Sequence, residues 1–178
     1  MSWLKKIFTN TSSDALSSQQ LGDYLFEMCA RQTLSFLDSL DKFPQKILKV
    51  SKEDINQTEV IIAFMWLFYD LLQQDDKYHK ALTQMHSRFM NHMAKYDLST
   101  EDTRDILLMR YDEYRECHRH KGTIDFTYKL VGAKICKNIL DLNTPNTNLY
   151  LEGAVIIALQ ESILNIGKHI KSISIKDT

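Results

Sequence analysis

Glycine and proline are scarce in this chain, with five glycines and two prolines among 178 residues. Average usage would give about 12 glycines and about 9 prolines. Folds built from β-strands need these residues in their turns, whereas a helix interior is destabilised by both. The long stretches in which apolar residues recur every three or four positions agree with this scarcity. Together they predict an all-α protein.

The sequence motifs of several enzyme classes are also missing. The isolated glycines form no phosphate-binding loop of the GxxxxGK[ST] or GxGxxG type, and no GxSxG motif occurs. No Glu-x-x-His motif is present, which excludes the ligand pattern of ferritin-like di-iron bundles. The sequence therefore favours a non-catalytic protein and predicts no cofactor.

The net charge and the cysteine content limit which kinds of partner and which cellular compartment are expected for this chain. The net charge of −1 lacks the basic footprint that nucleic-acid binding requires, so no nucleic-acid partner is expected. The cysteines at positions 29, 117 and 136 are odd in number and form no CxxC pair. This usage favours the reducing cytoplasm over a disulfide framework. No apolar signal-peptide segment follows Lys5 and Lys6.

The most apolar stretch is VIIAFMWLFYDLL at 60–72, where Asp70 is the only charge. It is shorter than the roughly 20 residues that span a bilayer, so we predict no transmembrane span. We predict a hydrophobic central helix at about 52–73, because an apolar helix must be surrounded by protein. Its least apolar edge should face outward or toward a groove, with Trp66 partly exposed or in contact with another chain or with residues 3–8. That edge consists of Glu59, Ala63, Trp66, Asp70 and Gln73.

The remaining periodicity predicts one domain of about six helices, mostly antiparallel neighbours because the loops between them are short. The predicted helices lie at about 19–41, 52–73, 76–97, 100–120, 124–141 and 147–173. Ser51 and Ser99 are the expected N-caps of the second and fourth helices. We expect a flexible arm with a short amphipathic tag at 1–18, the helical-bundle domain at 19–173 and a loose tail at 174–178.

Several polar residues of the fourth predicted helix invite a chemical interpretation. Arg110 lies at a position typical of the core, and we hypothesise that it pairs with an acid from another helix, with Asp70 or Glu152 as candidates. Asp112 and Glu116 are spaced like paired catalytic carboxylates. Neighbouring arginines at 115 and 119 indicate instead a solvated helix face laced with salt bridges.

The candidate site residues fall into three groups. The candidates for interaction are apolar side chains at the N-terminus and in the central helix: Trp3, Leu4, Ile7, Phe8 and Trp66. The candidates for lining a cofactor or ligand site are imidazoles and phenols: His92, Tyr111, Tyr114 and His118. Cys117 and His120 are weak candidates for metal ligands, and no metal is favoured because no paired ligand motif repeats.

These observations predict a non-catalytic helical-bundle protein that acts through protein–protein contacts, as an adaptor, an inhibitor or immunity-type protein, or a chaperone-like protein. Self-association belongs to this hypothesis, because an extra apolar helix face often forms an isologous interface. The alternative is a bundle that binds a small molecule, a metal or a cofactor. A further alternative is peripheral attachment to a membrane surface through residues 3–8, which would be weak and reversible.

Overall fold

The computed structural model shows an all-helical bundle, as predicted. It describes residues 15–41, 54–119, 124–140, 149–171 and 173–176. These residues contain α1 (Ser18–Leu40), α2 (Gln57–Leu72), α3 (His79–Met93), α4 (Thr100–Arg119), α5 (Ile124–Ile139) and α6 (Leu149–Lys171). The short 3-10 helices Asp76–Tyr78 and Ala94–Tyr96 flank α3. In this part of the chain, no helix combines the length and apolar character needed to cross a membrane.

Helix α2 is the centre of the bundle, because it contacts each of the other five described helices. It is buried along most of its length, and its core residues include Val60, Ile62, Phe64, Met65, Leu67 and Phe68. An apolar helix is most stable when neighbouring helices cover it on every side, because exposure of apolar side chains to water costs free energy. The prediction of a hydrophobic central helix is therefore confirmed.

The start of α2 differs from the predicted one. Asn56 is the N-cap, and its side-chain oxygen accepts hydrogen bonds from the backbone amides of Thr58 (3.1 Å) and Glu59 (3.4 Å). The Asn56 amide donates to the carbonyl oxygen of Ile139 at 2.9 Å, which ties this end of α2 to the end of α5. The predicted cap, Ser51, lies outside the described residues.

Helix α1 packs most extensively against α3. It begins with a capping box, in which Ser17 and Gln20 each accept a hydrogen bond from the other's backbone amide. Gly22 lies against Gln84, and four residues later the Phe26 ring lies 5.9 Å from that of His92. Because both contacts advance in the same direction along the chain, α1 and α3 run parallel.

The two ends of the described chain meet in a parallel β-bridge between Leu16 and Ile175. The Leu16 amide donates to the carbonyl of Ser174 (3.0 Å), and the Lys176 amide donates to the carbonyl of Leu16 (2.9 Å). Leu16 and Ile175 also pack on the core. The bridge therefore joins the residues before α1 to those that follow α6, and the predicted flexibility of residues 1–18 and 174–178 stays a prediction. Residues 1–14 lie outside the described part of the chain.

Candidate functional site

A buried ion pair joins α4 to α2. The Arg110 guanidinium donates from Nε to both oxygens of Glu59, at 2.9 and 2.8 Å, and from Nη2 to Oε1 at 2.8 Å. Only 18% of the Arg110 side chain and 7% of the Glu59 side chain are exposed. The hypothesis that Arg110 pairs with an acid from another helix is confirmed. The acid is Glu59, however, and not Asp70 or Glu152.

The same guanidinium connects the ion pair to α5. Arg110 Nη1 donates to Glu113 Oε2 at 3.1 Å, and Glu113 also receives Asn138 Nδ2 at 3.0 Å and Lys134 Nζ at 3.3 Å. Burial acts to raise the pKa of Glu113. The hydrogen bond from Asn138 and the charges of Lys134 and Arg110 outweigh it and leave that pKa below its ordinary value. Both carboxylates are thus occupied by this chain's own donors, as expected of a group that holds helices together.

Trp66 lies beside this cluster and is 2% exposed. Its ring meets that of Tyr114 edge-on, with centroids 5.3 Å apart. The expectation of a partly exposed Trp66 on an outward edge is wrong, because Glu59 and Ala63 of the same edge are also buried. The ion pair with Arg110 allows the charged start of this edge to face the interior. Residues 3–8 lie outside the described residues, so a contact between them and Trp66 stays a prediction.

A second polar cluster, which is partly buried, joins α3 to α4. His86 Nε2 and the Tyr111 hydroxyl are hydrogen-bonded at 3.0 Å, and the Tyr69 ring lies against both rings. Burial lowers the pKa of His86 to about 4, so the imidazole is neutral at neutral pH. Burial also raises the pKa of Tyr111. His86 is not among the predicted site residues, because its partner lies 25 positions away in the chain.

The predicted cofactor residues are distributed over separate contacts. Tyr111 lies with His86, whereas Tyr114 lies with Trp66 and accepts a hydrogen bond from Asn138 at 3.4 Å. His92 packs between the rings of Phe26 and Tyr96. The side chain of His118 lies outside the described residues.

The predicted metal ligands are only partly described. Cys117 is half-buried, and its thiol donates to the carbonyl of Glu113 at 3.4 Å. Burial raises the pKa of this thiol, which disfavours the thiolate that binds metals. His120 lies outside the described residues, and the described ones contain no group of three His, Cys, Asp or Glu side chains placed to hold a metal ion.

An apolar cavity lies between α1, α2, α5 and α6. Its walls include Phe36, Ala63, Ile135 and Ala158, and its volume is about 10 Å³. That is room for a single water-sized sphere, whereas sites for small organic ligands measure roughly 300–1,000 Å³. This cavity is therefore a packing defect rather than a binding site.

The outward surface of α4 combines exposed apolar and charged side chains. Leu108 is 51% and Met109 48% exposed, at the middle of the helix. Helical geometry places Asp105 about one turn before them and Asp112 about one turn after them. We define the α4 face as the exposed residues Glu101, Asp102, Arg104, Asp105, Leu108, Met109, Asp112, Arg115 and Glu116. The charges of this face were predicted from the sequence, whereas its apolar centre was not.

Comparisons with known proteins identify no relative. No protein-family model matches the chain, and neither a curated protein nor a solved structure gives a significant match. Any functional conclusion therefore depends on the geometry of this molecule.

Proposed function

We propose that this chain is a non-catalytic helical-bundle protein that binds other proteins through the α4 face. The observation that carries the proposal is the position of Leu108 and Met109, half exposed side by side within a ring of charges. Protein interfaces have this construction, with apolar anchors at the centre and a polar rim around them. Isolated exposed apolar residues are common on monomers, and a consecutive pair in the middle of a charged helix is the stronger signal.

The charges around this pair suit a surface that is alternately free and covered. Arg115 and Asp112 form an ion pair at 2.8 Å, with side chains 45% and 71% exposed. Exposed pairs of this kind contribute only about 0–1 kcal/mol, so they rearrange at little cost when a partner arrives.

The buried polar clusters support a structural rather than a chemical use of the interior. Arg110 and Glu59 connect α4 to α2, and His86 and Tyr111 connect α3 to α4. Both clusters hold α4 against the core. A rigid helix presents a preorganised surface, which lowers the entropic cost of binding.

The proposal includes a cytoplasmic location. Cys29, Cys117 and Cys136 are all free thiols, and two of them are buried. Unpaired cysteines of this kind suit a reducing compartment.

Quantitative capture tests the proposed function. The wild-type chain, Leu108→Glu/Met109→Glu and the control Ile157→Glu are used as bait in an extract of the cells that express the chain. Ile157 is 55% exposed on α6, so its replacement adds a surface charge away from the α4 face. We expect a partner that is retained by the wild type and the control and lost by the double variant. Equal recovery by all three baits, each shown to be folded by circular dichroism, would contradict the proposal.

A further inference from the structure

The N-terminal tag, residues 3–8, is complementary to the α4 face in both charge and apolar character. The tag reads WLKKIF, with two lysines between two pairs of apolar residues. The α4 face carries five carboxylates and two guanidiniums around Leu108 and Met109, all exposed. The tag therefore offers apolar side chains for Leu108 and Met109 and two cations for the surplus of carboxylates around them.

The chain is long enough for the tag to reach this face. Leu16 is held at the end of the bundle by its bridge to Ile175. The thirteen steps from Trp3 to Leu16 span up to about 43 Å when extended.

Among the described helices, α3 lies between the start of α1 and α4. Gly22 of α1 lies against Gln84 of α3, and His86 of α3 is hydrogen-bonded to Tyr111, one turn from Leu108. Two interaxial distances amount to about 20 Å, well within the reach of the arm.

We propose that residues 3–8 dock on the α4 face of their own chain. The apolar side chains of the tag cover Leu108 and Met109, and Lys5 and Lys6 pair with the carboxylates of Asp105 and Asp112 beside them. This inference rests on the proposed function, because a docked tag occupies the surface that a partner would use. The tag is then an internal competitor, and a partner must displace it to bind.

Tryptophan fluorescence tests the docking in the full-length chain. Trp3 and the buried Trp66 are the two tryptophans, so subtracting the emission of Trp3→Phe from that of the wild type isolates Trp3. The reference is a synthetic peptide of residues 1–12. We expect the Trp3 emission to be blue-shifted from the peptide and protected from acrylamide quenching.

Charge reversal identifies where Trp3 is docked. The variant Asp105→Lys/Asp112→Lys should return the Trp3 emission to the value of the peptide. Its Trp3 emission is again isolated by subtraction, using the same variant with the additional change Trp3→Phe. Adding Lys5→Glu/Lys6→Glu to this variant should restore the blue shift, because the charges of the tag and of the α4 face are then both reversed and attract each other again. The control Asp76→Lys/Glu161→Lys changes the net charge equally at two exposed acids outside the α4 face and should have no effect.

Three results would overturn the inference. The first is a Trp3 emission equal to that of the peptide in the wild type, and the second is an equal response to the control reversal. The third is a blue shift that appears only at concentrations where light scattering detects a dimer, which would assign the tag to a second copy.

The two proposals fail separately. A free tag with intact, Leu108-dependent partner capture would remove this inference and leave the proposed function standing. A docked tag with capture that is insensitive to Leu108 would leave the docking standing, and would remove the proposed function together with the tag's role as an internal competitor.

Discussion

Arg110 donates hydrogen bonds to the carboxylate of Glu59 from two nitrogens, with Nε and Nη2 each 2.8 Å from an oxygen. The two residues are 51 positions apart in the chain, and their contact fixes α4 against the start of α2. A buried charge keeps its solvation penalty when its partner is removed. Loss of either member of this ion pair should therefore cost more free energy than loss of an exposed ion pair.

Removing the arginine should destabilise the fold strongly. We expect Arg110→Ala to lower the free energy of unfolding by about 3–5 kcal/mol, because the side chain of Glu59 is left buried without its partner. Urea unfolding followed by circular dichroism measures the change. The control Arg115→Ala removes the exposed partner of Asp112 and should cost no more than about 1 kcal/mol. Similar losses in the two variants would show that the Glu59 pair has no special weight.

The close approach of α1 and α3 depends on the absence of a side chain at Gly22. A Cβ atom there would lie 2.5 Å from the Ala81 carbonyl oxygen and 2.5 Å from Gln84 Cβ. Gly22→Ala should therefore force the helices apart and cost about 1–3 kcal/mol.

The matched control for this change is Gly153→Ala in α6, where a Cβ would meet no atom within 4 Å. Helix propensity should make this variant more stable than the wild type by up to about 1 kcal/mol. For both variants, the change in the free energy of unfolding is obtained from the midpoint of urea unfolding, with the same dependence on urea concentration as in the wild type. If Gly22→Ala leaves the free energy of unfolding unchanged, α1 and α3 can accommodate a methyl group between them and the prediction is wrong.

His86 should make the fold sensitive to acid. Its pKa is about 4 in the folded chain and 6.5 ordinarily, so below pH 6.5 the unfolded chain binds a proton that the folded chain does not. The contribution of neutral His86 is complete above pH 6.5 and is lost as the pH falls toward 4, by up to about 3 kcal/mol.

The measurement is the free energy of unfolding between pH 7 and pH 4. His86→Gln should flatten this dependence, whereas His79→Gln, at a site 55% exposed, should leave it unchanged. An identical pH dependence in His86→Gln and the wild type would show that acid destabilises the fold through other groups.

Asp97 carries the turn between α3 and α4 in a left-handed conformation, with φ of 60°. Glycine adopts this conformation without the steric cost that a Cβ atom brings. We expect Asp97→Gly to be more stable than Asp97→Ala by about 1 kcal/mol in thermal or urea unfolding. Equal stability of the two variants would indicate that the turn relaxes when the aspartate is removed.

Local patterns predicted much of the fold. Ser99 caps α4 as expected, with its Oγ accepting the Asp102 amide at 3.0 Å. In the third predicted helix, the apolar residues Leu82, Met85 and Phe89, three and four positions apart, are buried. Tyr96, seven positions after Phe89, is 65% exposed, because the α-helix ends at Met93 and a 3-10 helix follows it.

The wrong predictions concern contacts between distant parts of the chain. Periodicity assigns a polar residue to the surface, and Glu59 was assigned there with the edge of α2 that it begins. Its burial depends on Arg110, which belongs to another helix. His86 likewise gained its role from Tyr111. A single sequence shows which side chains share a helix face, but not which face of another helix they meet.

The bridge between Leu16 and Ile175 has a mechanical consequence. Because its two strands are parallel, tension applied between the beginning and the end of the chain pulls them past each other lengthwise. Both hydrogen bonds are then loaded together in shear, rather than one after the other as in an opening zipper. Although it is only one residue pair wide, the bridge is oriented to resist pulling at the ends before the load reaches α1 and α6.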